Sequence, residues 1–199
     1  MTSKKSIEII LQNLIVNEKP VNALEQYQTD GKIASYILNI AMLDDSIIGK
    51  SIIDLGSGNG IFALGAKLLG AREVTAVDID REQMRVLEEN ARKLELDINT
   101  IVSDVSDVTG KFDTCIMNPP FGSVKTHADL PFIQIGTKIS DRIYALHNYK
   151  SKDFILKQYS QSNFSRIAWE KTRITTGRIY PHHSRDVAFI DCLFVRCFR

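Results

Sequence analysis

The chain has 199 residues, 44% of them hydrophobic and 25% charged, with a formal net charge of +1. This length suits one domain with a central sheet covered on both faces, and the composition is that of a globular protein rather than a low-complexity polymer. No apolar run reaches the roughly 18 residues that a membrane span needs, which argues against a membrane partner.

The N-terminus reads as an amphipathic helix with Ile7, Ile10, Leu11 and Leu14 on one face. Glu8, Gln12 and Asn13 interrupt the run and no small-residue cleavage site follows, so an export signal is not expected. After a polar stretch at 22–31 comes a second helical pattern with Ile33, Ile37, Ile40 and Ala41 on one side. Residues 51–55 read as a buried strand, 61–69 as a helix closed by Gly70, and 74–77 as a second strand. Residues 81–94 form a strong helical pattern with Asp80 placed to cap it. Strands are expected at 98–102, 112–117 and 143–146. Two β-rich runs, 165–178 and 187–198, follow with no helix between them and read as an antiparallel pair at the sheet edge. The alternation of strands and helices predicts a doubly wound α/β fold with a mostly parallel sheet. Residues 1–199 read as a single domain, with 1–45 as an N-terminal helical extension.

Asp54-Leu55-Gly56-Ser57-Gly58-Asn59-Gly60 follows the first strand and opens a helix. Glycines there let the backbone pass close beneath a ligand, where a Cβ would collide. Nicotinamide and flavin enzymes use a similar loop, so the turn alone decides little. Asp54 would repel a pyrophosphate but suits a cofactor that carries an ammonium group and a sulfonium. Asp78 closes the next strand about twenty residues on, where an acid can accept from both ribose hydroxyls. A tight turn and a capping acid explain each feature singly, but not the pair.

Asn118-Pro119-Pro120-Phe121-Gly122 follows the fourth strand, where an open α/β sheet places its ligands. The amino nitrogen of adenine is nearly planar, its lone pair delocalised into the ring. The Asn118 side-chain oxygen and the Pro119 carbonyl could face its two hydrogens and favour electron density on nitrogen as a methyl group arrives. Pro119 and Pro120 fix φ and stiffen the loop, and Phe121 offers a flat face to a base. Asp104 could receive the cofactor's adenine amino group, or simply cap a turn. His127, His147, His182 and His183 lack metal-ligand spacing, so no metal site is expected. Trp169 alternates with polar neighbours and reads as packing. Cys115, Cys192 and Cys197 lie in strand-like runs and read as buried reduced thiols in a reducing compartment, the cytoplasm. Residues 142–199 carry 11 Lys/Arg against 4 Asp/Glu, whereas residues 1–141 carry 14 against 20. A mixed surface explains this on charge alone; a neighbouring polyanion is the sharper explanation.

Glycine loop, Asp78 and Asn-Pro-Pro-Phe together resemble the class I amino-methyltransferases. With Leu24-Glu25-Gln26-Tyr27-Gln28-Thr29 and Ile143-Tyr144-Ala145-Leu146-His147, the chain is similar to the small rRNA adenine-N6 methyltransferases of archaea and eukaryotes. The similarity runs from about residue 20 to the C-terminus. It implies a Rossmann-like class I fold, a seven-stranded mostly parallel sheet with an antiparallel C-terminal pair, and S-adenosyl-L-methionine as cofactor. By position it implies that Gln26, Tyr27 and Thr29 line the methionine end or the acceptor entrance. Asp54, Gly56 and Gly58 would hold the methionine moiety, Asp78 and Ile79 the ribose side, Asp104 the adenine, and Asn118 through Phe121 the target base. Gln28 stands where the family usually has proline, which changes the shape of that entrance. Eukaryotic relatives work with a small zinc-binding activator subunit, whose sign here would be an exposed apolar sheet edge. Structured ribosomal RNA is the expected substrate. Protein-glutamine N5 methylation, DNA amino-methylation and a non-catalytic binding module are the other readings. Residues 123–131 are expected to form a mobile lid.

Overall fold

The computed structural model describes residues 4–17, 29–122, 126–176 and 188–199. Helices α1 (Lys4–Gln12) and α2 (Gly31–Leu43) precede strand β1 (Ser51–Leu55). Then follow α3 (Ile61–Leu68), β2 (Glu73–Asp78), α4 (Arg81–Lys93), β3 (Asn99–Val102) and β4 (Phe112–Met117). The chain continues through α5 (Leu130–Ile139), β5 (Ser140–Asn148), α6 (Lys152–Ser160), β6 (Arg166–Thr176) and β7 (Ala188–Phe198). The seven strands lie in the order β3-β2-β1-β4-β5-β7-β6. All neighbouring pairs from β3 to β5 are parallel, and β7 is antiparallel to both β5 and β6.

The strands are short apolar runs because both faces of the sheet are covered. Their residues alternate between two cores. Ile52, Ile116, Tyr144 and Phe194 join a core with Ile7, Leu11, Ile37, Phe62 and Leu87 from α1 to α4. Ile53, Cys115, Ile143 and Val195 face the other side, where Ile133 of α5 and Ile155 and Tyr159 of α6 pack. Asp80 caps α4 as expected, accepting from the Glu82 N–H at 2.8 Å. The three cysteines are free and buried. The N-terminal segment is latched across the front of α3 and α4. The Asn90 Oδ1 accepts from the Ile15 N–H at 2.8 Å, and the Ile15 carbonyl accepts from both Asn59 and Asn90 side-chain amides.

Two helices lie where the sequence suggested none. Helix α5 begins inside the segment read as a lid, with Pro131 in its first turn, where the missing N–H costs nothing. Residues 123–125 of that segment lie outside the described residues, but its end is anchored. Asp129, 5% exposed, meets the His147 Nδ1 at 3.1 Å, and the His147 Nε2 meets the Tyr159 hydroxyl at 2.9 Å. His147 and Tyr159 are fully buried, so this satisfied histidine ties α5, β5 and α6 together in the apolar core. Replacing His147 by Ala should cost roughly 2–4 kcal/mol, because it leaves a cavity and two buried polar groups without partners. Tyr159→Phe, which keeps the ring, should cost closer to about 1 kcal/mol. Urea unfolding of both variants checks the order.

Candidate active site

β1 lies between β2 and β4, so the direction of strand order reverses at its carboxyl end, the place where an open α/β sheet binds its ligands. The residues singled out from the sequence gather around it. Asp54 is in β1, Asp78 ends β2, Asp104 follows β3 and Asn118 follows β4.

The turn after β1 is held from below. The Val77 carbonyl accepts from the Gly56 and Ser57 N–H groups at 2.8 and 3.0 Å. Gly56 (φ 71°) and Gly58 (φ 52°) adopt left-handed backbone that favours glycine. At Gly56 a Cβ would come within 3.0 Å of the Phe132 ring, so α5 closes one wall of the loop. At Gly58 nothing lies within 4 Å of where a Cβ would project, which leaves the upper side open to a ligand.

The two acids are in different states of satisfaction. Asp54 is 1% exposed; its Oδ2 accepts from the Ala63 N–H at 2.9 Å, whereas its buried Oδ1 has no partner among the described residues. Burial pushes its pKa up to about 7, the Ala63 N–H opposes this, and nearby Asp78 adds to it. Asp78 is braced at both oxygens, by the Gly58 N–H and the Asp80 N–H, each at 2.9 Å. Burial raises its pKa as well. Ile79 beside it is 54% exposed, an apolar side chain kept at the surface. Asp104 is exposed and caps the short helical turn Val105–Asp107, accepting from the Ser106 N–H at 2.8 Å.

Asn118 has its amide nitrogen committed. It donates to the Thr29 hydroxyl at 2.8 Å, which leaves Oδ1 buried and without a partner among the described residues. Thr29, 6% exposed, therefore orients the amide; the sequence had placed it at the methionine end or the acceptor entrance. Asp30 next to it holds the region from two sides. Its Oδ1 accepts from Ile33 at the start of α2 and its Oδ2 from the Thr175 N–H at the end of β6. The bond between Asp30 and Thr175 carried no sequence signal, because the two lie far apart along the chain. Phe121 is 6% exposed and packs into the core, so little of its ring is open. Gln26 and Tyr27 lie outside the described residues, as do His182 and His183. His127 stacks on Phe154 with ring centroids 3.9 Å apart. Trp169 is 43% exposed on β6, which corrects its reading as a packing residue. Among the described residues no three side chains of metal-ligating type cluster. No helix among them is long and apolar enough to cross a membrane.

Two buried acceptor oxygens with no donor among the described residues, Asp54 Oδ1 and Asn118 Oδ1, flank an open glycine turn. An anionic cofactor would be repelled there, whereas one with an ammonium and a sulfonium would supply the missing positive charge and donors. With a parallel sheet closed by an antiparallel pair, this defines the class: S-adenosylmethionine-dependent methyltransferases of Rossmann-like fold. Residues 29–134 match the family described as Methyltransferase small domain, and the chain belongs to that family. The chain is similar to the rRNA N(6)-adenosine-methyltransferase METTL5 of Danio rerio, 32% identical across 96% of this chain and 97% of that protein. A Methanocaldococcus jannaschii protein described provisionally as a protein N5-glutamine methyltransferase is 30% identical, across 54% of this chain and 60% of its own length. Among solved structures, a Pyrococcus horikoshii protein provisionally assigned as an RNA methyltransferase superposes with a TM-score of 0.92. It is 36% identical and covers 100% of this chain and 98% of its own.

The raised pKa of Asp54 has a measurable consequence without cofactor. The folded state keeps this proton up to about pH 7, whereas an unfolded Asp loses it near pH ~4. Between those values the folded state binds more protons, so stability falls as pH rises, and the full penalty is present above 7. Its size is on the order of 4 kcal/mol. Asp54→Asn should flatten that part of the stability profile in urea unfolding at pH 5 and pH 8, while abolishing cofactor binding by calorimetry.

Proposed function

We propose that the chain transfers a methyl group from S-adenosyl-L-methionine to the exocyclic N6 of adenine in structured RNA, with small-subunit ribosomal RNA as the substrate. The observation that carries this reading is the oriented Asn118 amide. Its nitrogen is held by Thr29, and its oxygen is buried and waiting for a donor. Bound S-adenosylmethionine supplies an electrophilic methyl group. Asp54 and the Gly56–Gly58 turn would hold the methionine moiety, Asp78 and Ile79 the ribose side, Asp104 the adenine, and Gln26 and Tyr27 the methionine end or the acceptor entrance.

Asn118 Oδ1 and the Pro119 carbonyl accept from the two amino hydrogens of the target adenine. That contact strengthens as the nitrogen loses conjugation and gains positive charge, so it favours the transition state over the ground state. Pro119 and Pro120 keep the acceptors in place, and Phe121 supplies the apolar wall. No strong base is required, because the proton leaves to water after transfer. Near full-length similarity to proteins named for adenosine methylation in rRNA supports RNA as the substrate.

Residues 1–199 act in this reading as a single domain with 1–45 as a helical extension, working in the cytoplasm. A small zinc-binding activator subunit is the partner we propose. Support comes from β3 at the sheet edge, where Ile101 and Val102 are 44% and 43% exposed, since an edge strand is a template for pairing with another chain. A glutamine side-chain amide is the second reading, since it presents a similar planar nitrogen and part of the chain resembles such an enzyme.

The test is transfer of labelled methyl from S-adenosylmethionine to small-subunit RNA from cells lacking the protein, followed by nucleoside analysis. Label in N6-methyladenosine is expected, with Asn118→Ala lowering kcat by roughly 100-fold or more, in line with the loss of one preorganised acceptor. Thr29→Val, which frees the amide to rotate, should lower kcat less and leave the Kd for cofactor unchanged. Label in protein glutamine and none in RNA would overturn the adenine reading.

A further inference from the structure

The face of β6 that looks away from α2 carries Trp169, Lys171 and Arg173 at alternate positions. Each has more than two-fifths of its surface or side chain exposed. Phe189 on β7, opposite Thr175, is 65% exposed on the same face. Cations and rings interleave there. The Lys152 Nζ lies 3.9 Å over the Trp169 ring, the Lys171 Nζ 4.6 Å over Tyr149, and the Arg173 guanidinium 5.8 Å over Phe189. Asp191 is the acid among them, meeting Lys171 at 2.7 Å and Arg173 at 2.9 Å. Three cations against one carboxylate leave the strip positive. Trp169 and Phe189 are large apolar side chains kept in water on one sheet face, outside the core, and exposed apolar groups rimmed by polar ones mark a binding surface.

The strip leads to the reaction centre. From Trp169 it climbs β6 to Thr175, whose N–H is held by Asp30, next to the Thr29 that orients Asn118. We propose that this strip is the docking surface for a single-stranded stretch of the substrate RNA flanking the target adenine, with Trp169 as a base-stacking platform. The inference rests on the RNA reading above and assigns residues to it. Flat rings alternating with cations fit bases alternating with phosphates, whereas a protein surface would not need a cation at every ring. A base on Trp169 displaces Lys152 sideways, because stacking outweighs an exposed cation–ring contact, and the lysine is then beside the nucleotide's own phosphate.

Trp169 is the sole tryptophan, so its fluorescence reports on the strip directly. The full chain is titrated with polyadenylate RNA and, separately, with inorganic polyphosphate, which has the charge but no bases. Quenching by polyadenylate and none by polyphosphate is expected. Lys171→Gln should flatten the dependence of log affinity on log salt by about 0.7. In the methylation assay Trp169→Ala should raise the KM for RNA roughly tenfold, a loss in the range of one stacked base, with the cofactor Kd unchanged. No quenching, equal quenching by polyphosphate, or an unchanged RNA KM would each overturn the proposal. Selective quenching in a protein that methylates no RNA would uphold this surface and sink the proposed reaction instead.

Discussion

Asp54 keeps one oxygen on the Ala63 N–H and the other buried with no donor among the described residues. A carboxyl group in that position is expensive for the fold, and the structure around it exists to make the expense tolerable. The start of α3 supplies the N–H that holds it, β2 supplies the Val77 carbonyl that folds the glycine turn over it, and the turn keeps it from water. The same deprivation suits it to the proposed role of receiving positive charge. In that role a group that weakens the empty protein would strengthen the loaded one, and the site and the stability profile would be two views of one residue.

Much of this was legible in the sequence. The parallel strands, α3 and α4, the capping Asp80 and the final antiparallel pair fall close to their expected positions, because apolar runs, glycine turns and caps are local signals. Helices α5 and α6 were missed for a physical reason. Leu130-Pro131 looks like loop to an eye trained on proline as a breaker, although in a first helical turn proline is at home. α6 is a nine-residue helix with only Ile155 and Tyr159 buried, a weak periodic signal. Histidine 147 shows the same limit. Its spacing spoke against a metal, but its partners Asp129 and Tyr159 could not be named without the fold.

The site was legible as a set of types and illegible as a set of bonds. Asp54, Asp78 and Asn118 stand at the strand ends where the glycine loop and proline pair predicted them. What orients them came from elsewhere: Thr29 for the Asn118 amide, Asp30 for the end of β6, Phe132 against Gly56. Trp169 illustrates the converse. Alternation in a strand names a face without saying whether that face is covered, and α6 stops short of covering this one.

The link from Thr175 to Asp30 joins residues 145 positions apart, and that from Asn118 to Thr29 spans 89. During synthesis the glycine loop and its acids emerge first, and β1 to β4 have most of their neighbours before the C-terminal hairpin leaves the ribosome. The Asp30 side of the shell around Asn118 closes only when β6 arrives. A partly made chain can thus assemble the glycine turn and its acids while still lacking the brace that β6 places on Asp30, so the two parts of the site form at different stages of synthesis.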